Sequence, residues 1–180
     1  MDTTNIERYL DSFGKQVVRD AKGILSSAKG NTALGSSIRF EVIPDSTGFS
    51  TKFYMEDYGT YLDKGVSGTQ QQRSFKSYNK QTQSSPYSYK AAKGHSQPPT
   101  GIIDKWVVKK GLEGTRDKEG KFIKRKSLVF VVARSIGRKG IKSLSFFQEP
   151  LGVGYRALKE ELLKEVKLDI ESYLVTFTKK

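Results

Sequence analysis

The sequence predicts an α+β fold. A small antiparallel sheet, a hairpin near residues 36–56, is packed with an N-terminal helix and two or three C-terminal helices, and a long polar arm is added. Three observations lead there. Apolar residues recur at spacings of three and four near both ends of the chain. Two alternating stretches flank a Pro-Asp-Ser-Thr-Gly loop. Residues 70–99 are rich in Gln, Ser, Tyr and Lys and nearly lack aliphatic side chains. The order helix, hairpin, arm, helices suits one α+β domain over residues 1–180 with an extended arm inserted at 70–99.

The first helix is expected over residues 4–28. Thr4 and Glu7 have capping-box spacing, and Ile6, Tyr9, Leu10, Phe13, Val17, Ala21 and Ile24 form one apolar stripe. Gly30 is a C-terminal stop, while Gly14 and Gly23 weaken the helix locally. Ile38, Phe40 and Val42 then alternate with Arg39 and Glu41. Phe49, Thr51, Phe53 and Met55 alternate with Lys52, Tyr54 and Glu56.

The arm ends in Pro98-Pro99 and offers too little apolar surface to offset the entropy of fixing about thirty residues, at roughly 1–2 kcal/mol each. It is expected to order only when a neighbouring subunit covers it, with Phe75, Tyr78, Tyr87 and Tyr89 as the assembly contacts. Thr100 reads as the cap of a short helix whose apolar face holds Ile102, Ile103, Trp106 and Val107, which places the only tryptophan in the core. Gly111 stops that helix, and Asp117-Lys118-Glu119-Gly120 marks a turn. Leu128 to Ala133 is an apolar, β-branched run that periodicity alone cannot assign, although Leu128, Val131, Val132 and Ile136 fit a helical face. Pro150, Gly152 and Gly154 punctuate the chain before a final helix carrying Leu158, Leu162, Leu163, Val166 and Ile170. Leu174 to Phe177 is its last turn or a short strand.

Composition limits the function. Lysine and arginine exceed aspartate and glutamate by 32 to 19, a net charge of +13, which directs attention to nucleic acid, anionic surfaces or acidic proteins. Residues 116–142 hold ten cations against two acids. There, Arg116, Lys121, Lys124, Arg125, Lys126, Arg134, Arg138, Lys139 and Lys142 are the candidate contacts to DNA phosphates or to acidic neighbours. There is no cysteine, and the only histidine, His95, lies in the polar arm. Asp57 and Asp63 flank Tyr58-Gly59 and suit a hydrogen-bonded turn as well as a pair of acids. No catalytic residue, metal ligand set or cofactor is expected. Residues 1–10 carry Asp2 and Glu7 without an apolar run, so no secretory signal is expected, and neither is membrane insertion.

Three motifs occur in a particular order: Tyr58-Gly59-Thr60-Tyr61-Leu62-Asp63-Lys64-Gly65-Val66-Ser67-Gly68, Ile103 to Leu112, and Ala133-Arg134-Ser135-Ile136-Gly137-Arg138-Lys139-Gly140-Ile141 followed by Phe146-Phe147. Together they resemble the neck or tail-completion (head–tail joining) family of tailed bacteriophages. The resemblance implies a structural virion protein without enzymatic activity, assembled in the host cytoplasm. It would form a homo-oligomeric ring around the DNA exit channel, beside portal, neck or tail ring proteins, with non-specific contact to phage DNA. It also implies a helix over Ser127 to Gly137. The arm departs from the family's compact members. The alternative reading is a basic nucleic-acid-binding accessory protein. Independently of the family, Gly65 and Gly68 should permit positive φ or close packing, and Gly140 should end a helix in a left-handed turn. One of Phe146 and Phe147 should fill the core, the other the core or an intersubunit pocket.

Overall fold

A computed structural model describes residues 4–29, 33–45, 48–90, 96–112 and 114–178, without side-chain detail for Thr4, Lys29, Asp45, Lys159 and residues 172–178. The fold is α+β. In chain order the elements are α1 (Thr4–Lys29), α2 (Ala33–Ser37), β1 (Arg39–Asp45), β2 (Gly48–Tyr54), α3 (Gly59–Lys64), β3 (Ser74–Lys76), β4 (Thr82–Ser84), α4 (Thr100–Lys109), α5 (Arg125–Lys139) and α6 (Gln148–Thr178). Two antiparallel two-stranded sheets form, β1–β2 and β3–β4. The chain divides into two compact units. One comprises residues 1–59, 76–82 and 144–180; the other comprises 60–75 and 83–143.

The first unit follows the periodicity closely. The stripe of α1 buries Leu10, Val17 and Ala21, with Leu25 buried in place of the expected Ile24, which is half-buried, and the helix packs on α6 and on β1–β2. Phe40 and Phe53 face each other across the hairpin register. The Phe53 ring also meets Phe13 of α1 edge-on at 6.3 Å and Phe147 at 5.3 Å. Such edge-to-face pairs add to simple area burial. Gly14 has a specific use here: a Cβ on it would lie 2.2 Å from the Phe40 ring, so the glycine lets α1 settle on the hairpin. Phe146 is fully buried and Phe147 partly so.

Helix α6 begins earlier than the punctuation suggests. Pro150 sits in its first turn, where a missing N–H costs nothing. Gly152 and Gly154 lie inside it because neighbours approach too closely for a side chain, the Tyr78 carbonyl at the first and the Phe13 ring at the second. Leu174 to Phe177 continue the helix. Of its expected face, Leu158, Leu162 and Val166 are half-buried, whereas Leu163 and Ile170 are exposed.

The start of α1 is held from the far end of the chain. Asp169, 1% exposed, accepts from the Asn5 and Ile6 amides at 3.3 and 3.2 Å and from the Asn5 side-chain amide at 2.7 Å. It therefore supplies the acceptors that a local N-cap would. The Thr4 side chain, Gly30 and His95 lie outside the described residues.

The second unit contains α4 and α5, packed through Ile103, Val107, Val129 and Ala133, with Leu112, Leu128, Val132 and Ile136 around them. The apolar run 128–133 is helical. Its buried side is centred on Val129 and Ala133, and Val131 points out to solvent. Thr100 is the first helical residue of α4 and not its cap: the cap position is Pro99, which makes no side-chain capping bond. Gly111 adopts φ +63 just beyond the helix, as a C-terminal stop requires.

Removing the Asp169 carboxylate should destabilise the first unit by about 2 kcal/mol, because two helix-terminal amides lose their acceptor. Denaturant unfolding of Asp169→Ala measures this. An unchanged midpoint would show that water satisfies those amides equally well.

Candidate functional site

In the second unit, the later part of the first motif meets the end of α5, and α4, which carries the second, packs on α5. The loop after α3 lies against the end of α5 along their backbones. The Val66 and Ile141 amides exchange hydrogen bonds with each other's carbonyls at 2.9 and 2.8 Å. Thr69 donates to the Gly137 carbonyl at 2.9 Å and Gln70 to the Arg138 carbonyl at 3.0 Å. This approach leaves no room for side chains. A Cβ on Gly68 would lie 2.1 Å from the Arg138 carbonyl oxygen, and one on Gly140 would lie 2.1 Å from that of Val66. Gly65 and Gly140 both adopt positive φ. At Gly140 the pair φ 74°, ψ −172° is not the left-handed helical turn expected but an extended mirror conformation, essentially restricted to glycine.

Composition predicts an unanchored arm over residues 70–99. The described part of that segment is instead tied to its own chain. In the second unit, Ser67 donates to the Tyr87 carbonyl and Tyr89 to the Ser67 carbonyl, at 2.8 and 2.9 Å. The Ser85 hydroxyl donates to the Gly65 carbonyl at 2.7 Å, and Ser143 to the Ser74 carbonyl at 2.7 Å. Residues 67 and 88 thus form a parallel bridge beside the antiparallel bridge of 66 and 141. Backbone pairing replaces the apolar burial that the segment lacks. Phe75 is 6% exposed and serves the chain's own core. Tyr87 stacks edge-on against Tyr61 at 4.5 Å, and burial raises the hydroxyl pKa of Tyr89 above its usual value. In the first unit, Tyr78 is exposed, stacks on Tyr155, and its amide donates to the Gln148 side chain.

The candidate basic residues divide into two kinds. Some are committed to the fold. Arg125 makes a two-pronged hydrogen-bonded ion pair with Asp104, one contact at 2.7 Å, and those bonds hold the Asp104 carboxyl below the usual carboxylate range. Arg138 donates to the Gln70 side chain at 3.1 Å and Arg116 covers the Phe122 ring at 4.2 Å, whereas Lys139 meets Arg73 only through its backbone carbonyl, at 2.8 Å, and is itself exposed. The Lys121 backbone amide donates to the Asp117 carboxylate at 2.9 Å, closing the turn that the sequence predicts, while the residue itself is exposed and no ion pair engages it among the described residues. Lys124 and Lys126, at the start of α5, and Arg134 and Lys142 are exposed, and no ion pair engages them among the described residues. The same holds for Lys105 and Lys109 of α4, which lie outside the densest charge run and so carry no signal of their own in the sequence.

Trp106 corrects an expectation. It is 42% exposed, because Ile103 and Val107 take the buried face of α4 and turn Trp106 aside. Ile102, Phe130 and Val131 are also exposed, so α4 and α5 each present a mixed face of apolar and cationic side chains. Asp63 is buried and Asp57 exposed, so the two carboxyls meet different surroundings. Among the described residues no group of three or more His, Cys, Asp and Glu is placed to hold a metal ion, and no helix is long and apolar enough to cross a membrane. In the first unit, a groove of about 210 Å³ lies between the 76–80 turn and the first turns of α6, lined by Lys76, Lys80 and Arg156 together with Glu149.

Comparison with protein-family models, with curated proteins and with solved structures finds no significant match.

Truncating Trp106 to alanine should cost about 1 kcal/mol, well short of the ~3–5 kcal/mol of a core tryptophan. Thermal unfolding of Trp106→Ala measures the difference, and a collapse of the fold would return Trp106 to the core.

Proposed function

We propose that this chain is a non-enzymatic structural protein of a tailed-bacteriophage virion, a ring-forming subunit of the head-to-tail connector around the DNA exit channel. The observation that carries the reading is the convergence of the motif segments. Residues 65–68 and 138–141 are far apart in sequence, yet Gly65, Gly68 and Gly140 are positions at which one backbone touches the other. The third segment, α4, packs on the helix that ends in this contact. Part of the glycine pattern that carries the resemblance thus has a physical cause within the second unit.

The exposed faces of α4 and α5 are where such a subunit would meet its neighbours. Trp106 and Phe130 are large rings that contribute little to folding from an exposed position, and interfaces favour such anchors. Exposed Tyr78 adds a further contact of the same kind. Ring neighbours and the adjacent portal, neck or tail proteins are the partners on this reading, and the virion is the location. A nucleic-acid-binding accessory protein is the second reading, favoured by the concentration of charge described below.

Quantitative mass spectrometry of purified virions tests the proposal. The protein should be present at a fixed copy number that matches a rotationally symmetric ring. Abundance in infected cells with absence from virions would overturn it.

A further inference from the structure

The net positive charge of this protein belongs almost wholly to one of its two units. The unit of residues 60–75 and 83–143 holds 17 lysines and arginines against 5 acids, a net +12. The rest of the chain holds 15 against 14, a net +1. The cations divide almost evenly between the units, 17 to 15; what sets the basic unit apart is that it holds few acids, 5 against 14.

The acids of the basic unit are also largely occupied. Asp63 is buried, Asp104 is held by Arg125, and Asp117 accepts the Glu119 and Lys121 amides at 3.0 and 2.9 Å. The cations, by contrast, stand in solvent. Lys105, Lys109, Lys124, Lys126, Arg134 and Lys142 are exposed and free of ion pairs among the described residues. On α4, Lys105 and Lys109 lie one helical turn apart, away from the buried Ile103 and Val107. Like charges gathered this way repel one another and destabilise the unit that carries them. A polyanion that neutralises them removes the repulsion.

We infer that this unit is a nucleic-acid-binding module that holds the phosphate backbone of duplex DNA without reading its sequence. Duplex DNA carries one charge per ~1.7 Å of axis, and a protein that neutralises several phosphates gains affinity by releasing condensed counterions. The free cations are spread over α4, the 121–126 stretch and α5, in keeping with contact along a backbone and not with a pocket for one small anion. Lysine, a point charge with rotatable donors, predominates among them, which suits phosphate contact more than bidentate reading of base edges. The inference does not rest on the connector reading: it concerns the isolated protein in solution and holds whether or not rings form.

The test is fluorescence anisotropy of the full chain with labelled duplexes of two unrelated sequences across a salt series. Both duplexes should bind equally, and log affinity should fall linearly with log salt. In Lys105→Glu/Arg134→Glu, affinity at low salt should drop at least tenfold, and the salt slope should flatten by roughly 0.9 for each phosphate no longer neutralised. Arg8→Glu/Arg156→Glu makes the same change of net charge in the other unit and should lose less than threefold. Circular dichroism checks that each variant folds, and the Gln substitutions replace any that does not. Equal losses in the two double variants would overturn the inference, since net charge alone would then explain binding. So would preference for one duplex sequence, no binding at low salt, or displacement by polyglutamate as effective as by unlabelled duplex. Absence from virions together with unit-specific binding would remove the connector reading and leave this inference standing.

Discussion

The second unit depends on one constraint: two stretches of backbone must lie closer together than any side chain allows. Gly68 faces the Arg138 carbonyl and Gly140 faces that of Val66, at distances where a Cβ would overlap an oxygen. Because both positions are glycine, the Val66 and Ile141 amides pair directly. Much else follows. The end of α5 is fixed, so the α4–α5 core has a firm wall. The paired loop then offers Ser67 as a template on which residues 85–89 lay down a further bridge. Gly137 extends the same principle, since its missing side chain makes room for the backbone of Ser96 and Gln97. A side chain at any of these glycines would force two stretches of backbone apart and break several hydrogen bonds together.

The first unit uses close approach differently. Its glycines make room for rings and for a carbonyl: Gly14 for Phe40, Gly154 for Phe13 and Gly152 for the Tyr78 carbonyl. Helices α1 and α6 run antiparallel, since Asn5 meets Asp169 at one end and Phe13 meets Gly154 at the other. The buried Asp169 joins the start of one to the late turns of the other. A buried carboxylate carries a desolvation cost, and here several donors converge to offset it. This unit is close to neutral in net charge, while its companion carries nearly all of the excess. Fold and charge are divided along the same boundaries, which is why the basic unit reads as the part that meets a partner.

Much of this is legible in the sequence, for reasons that also explain what is not. The stripe of α1, the alternation of β1 and β2 and the glycine stop after α4 are local patterns, and local patterns survive into the fold. The importance of Gly65, Gly68 and Gly140 is legible too, though not their partners. Trp106 misleads because a short helix with apolar residues on most of its surface does not say which of them face inward. Pro150 suggests a boundary, whereas the first turn of a helix accepts proline. The largest difference is the polar segment, whose lack of aliphatic surface argues for disorder. Its described part is held by backbone pairing and a few serine hydroxyls, which composition does not weigh. Asp169 is invisible for a related reason: a cap supplied from more than 160 residues away leaves no spacing signal. On the basic face, density along the chain directs attention to 116–142. The fold divides those cations into structural ones, such as Arg125, and free ones, and adds Lys105 and Lys109 from elsewhere.

The central claim is that the basic unit is a preformed body, locked by backbone pairing at glycines before any partner arrives. Residue-resolved hydrogen exchange on the isolated, unassembled protein tests it most directly. The amides of Val66, Ser67, Thr69, Tyr89 and Ile141 should exchange slowly, together, and at rates set by cooperative opening of the unit. Rapid exchange of these amides, at the rates of an unstructured chain, would contradict the account and return the segment to an arm that orders only on a neighbour.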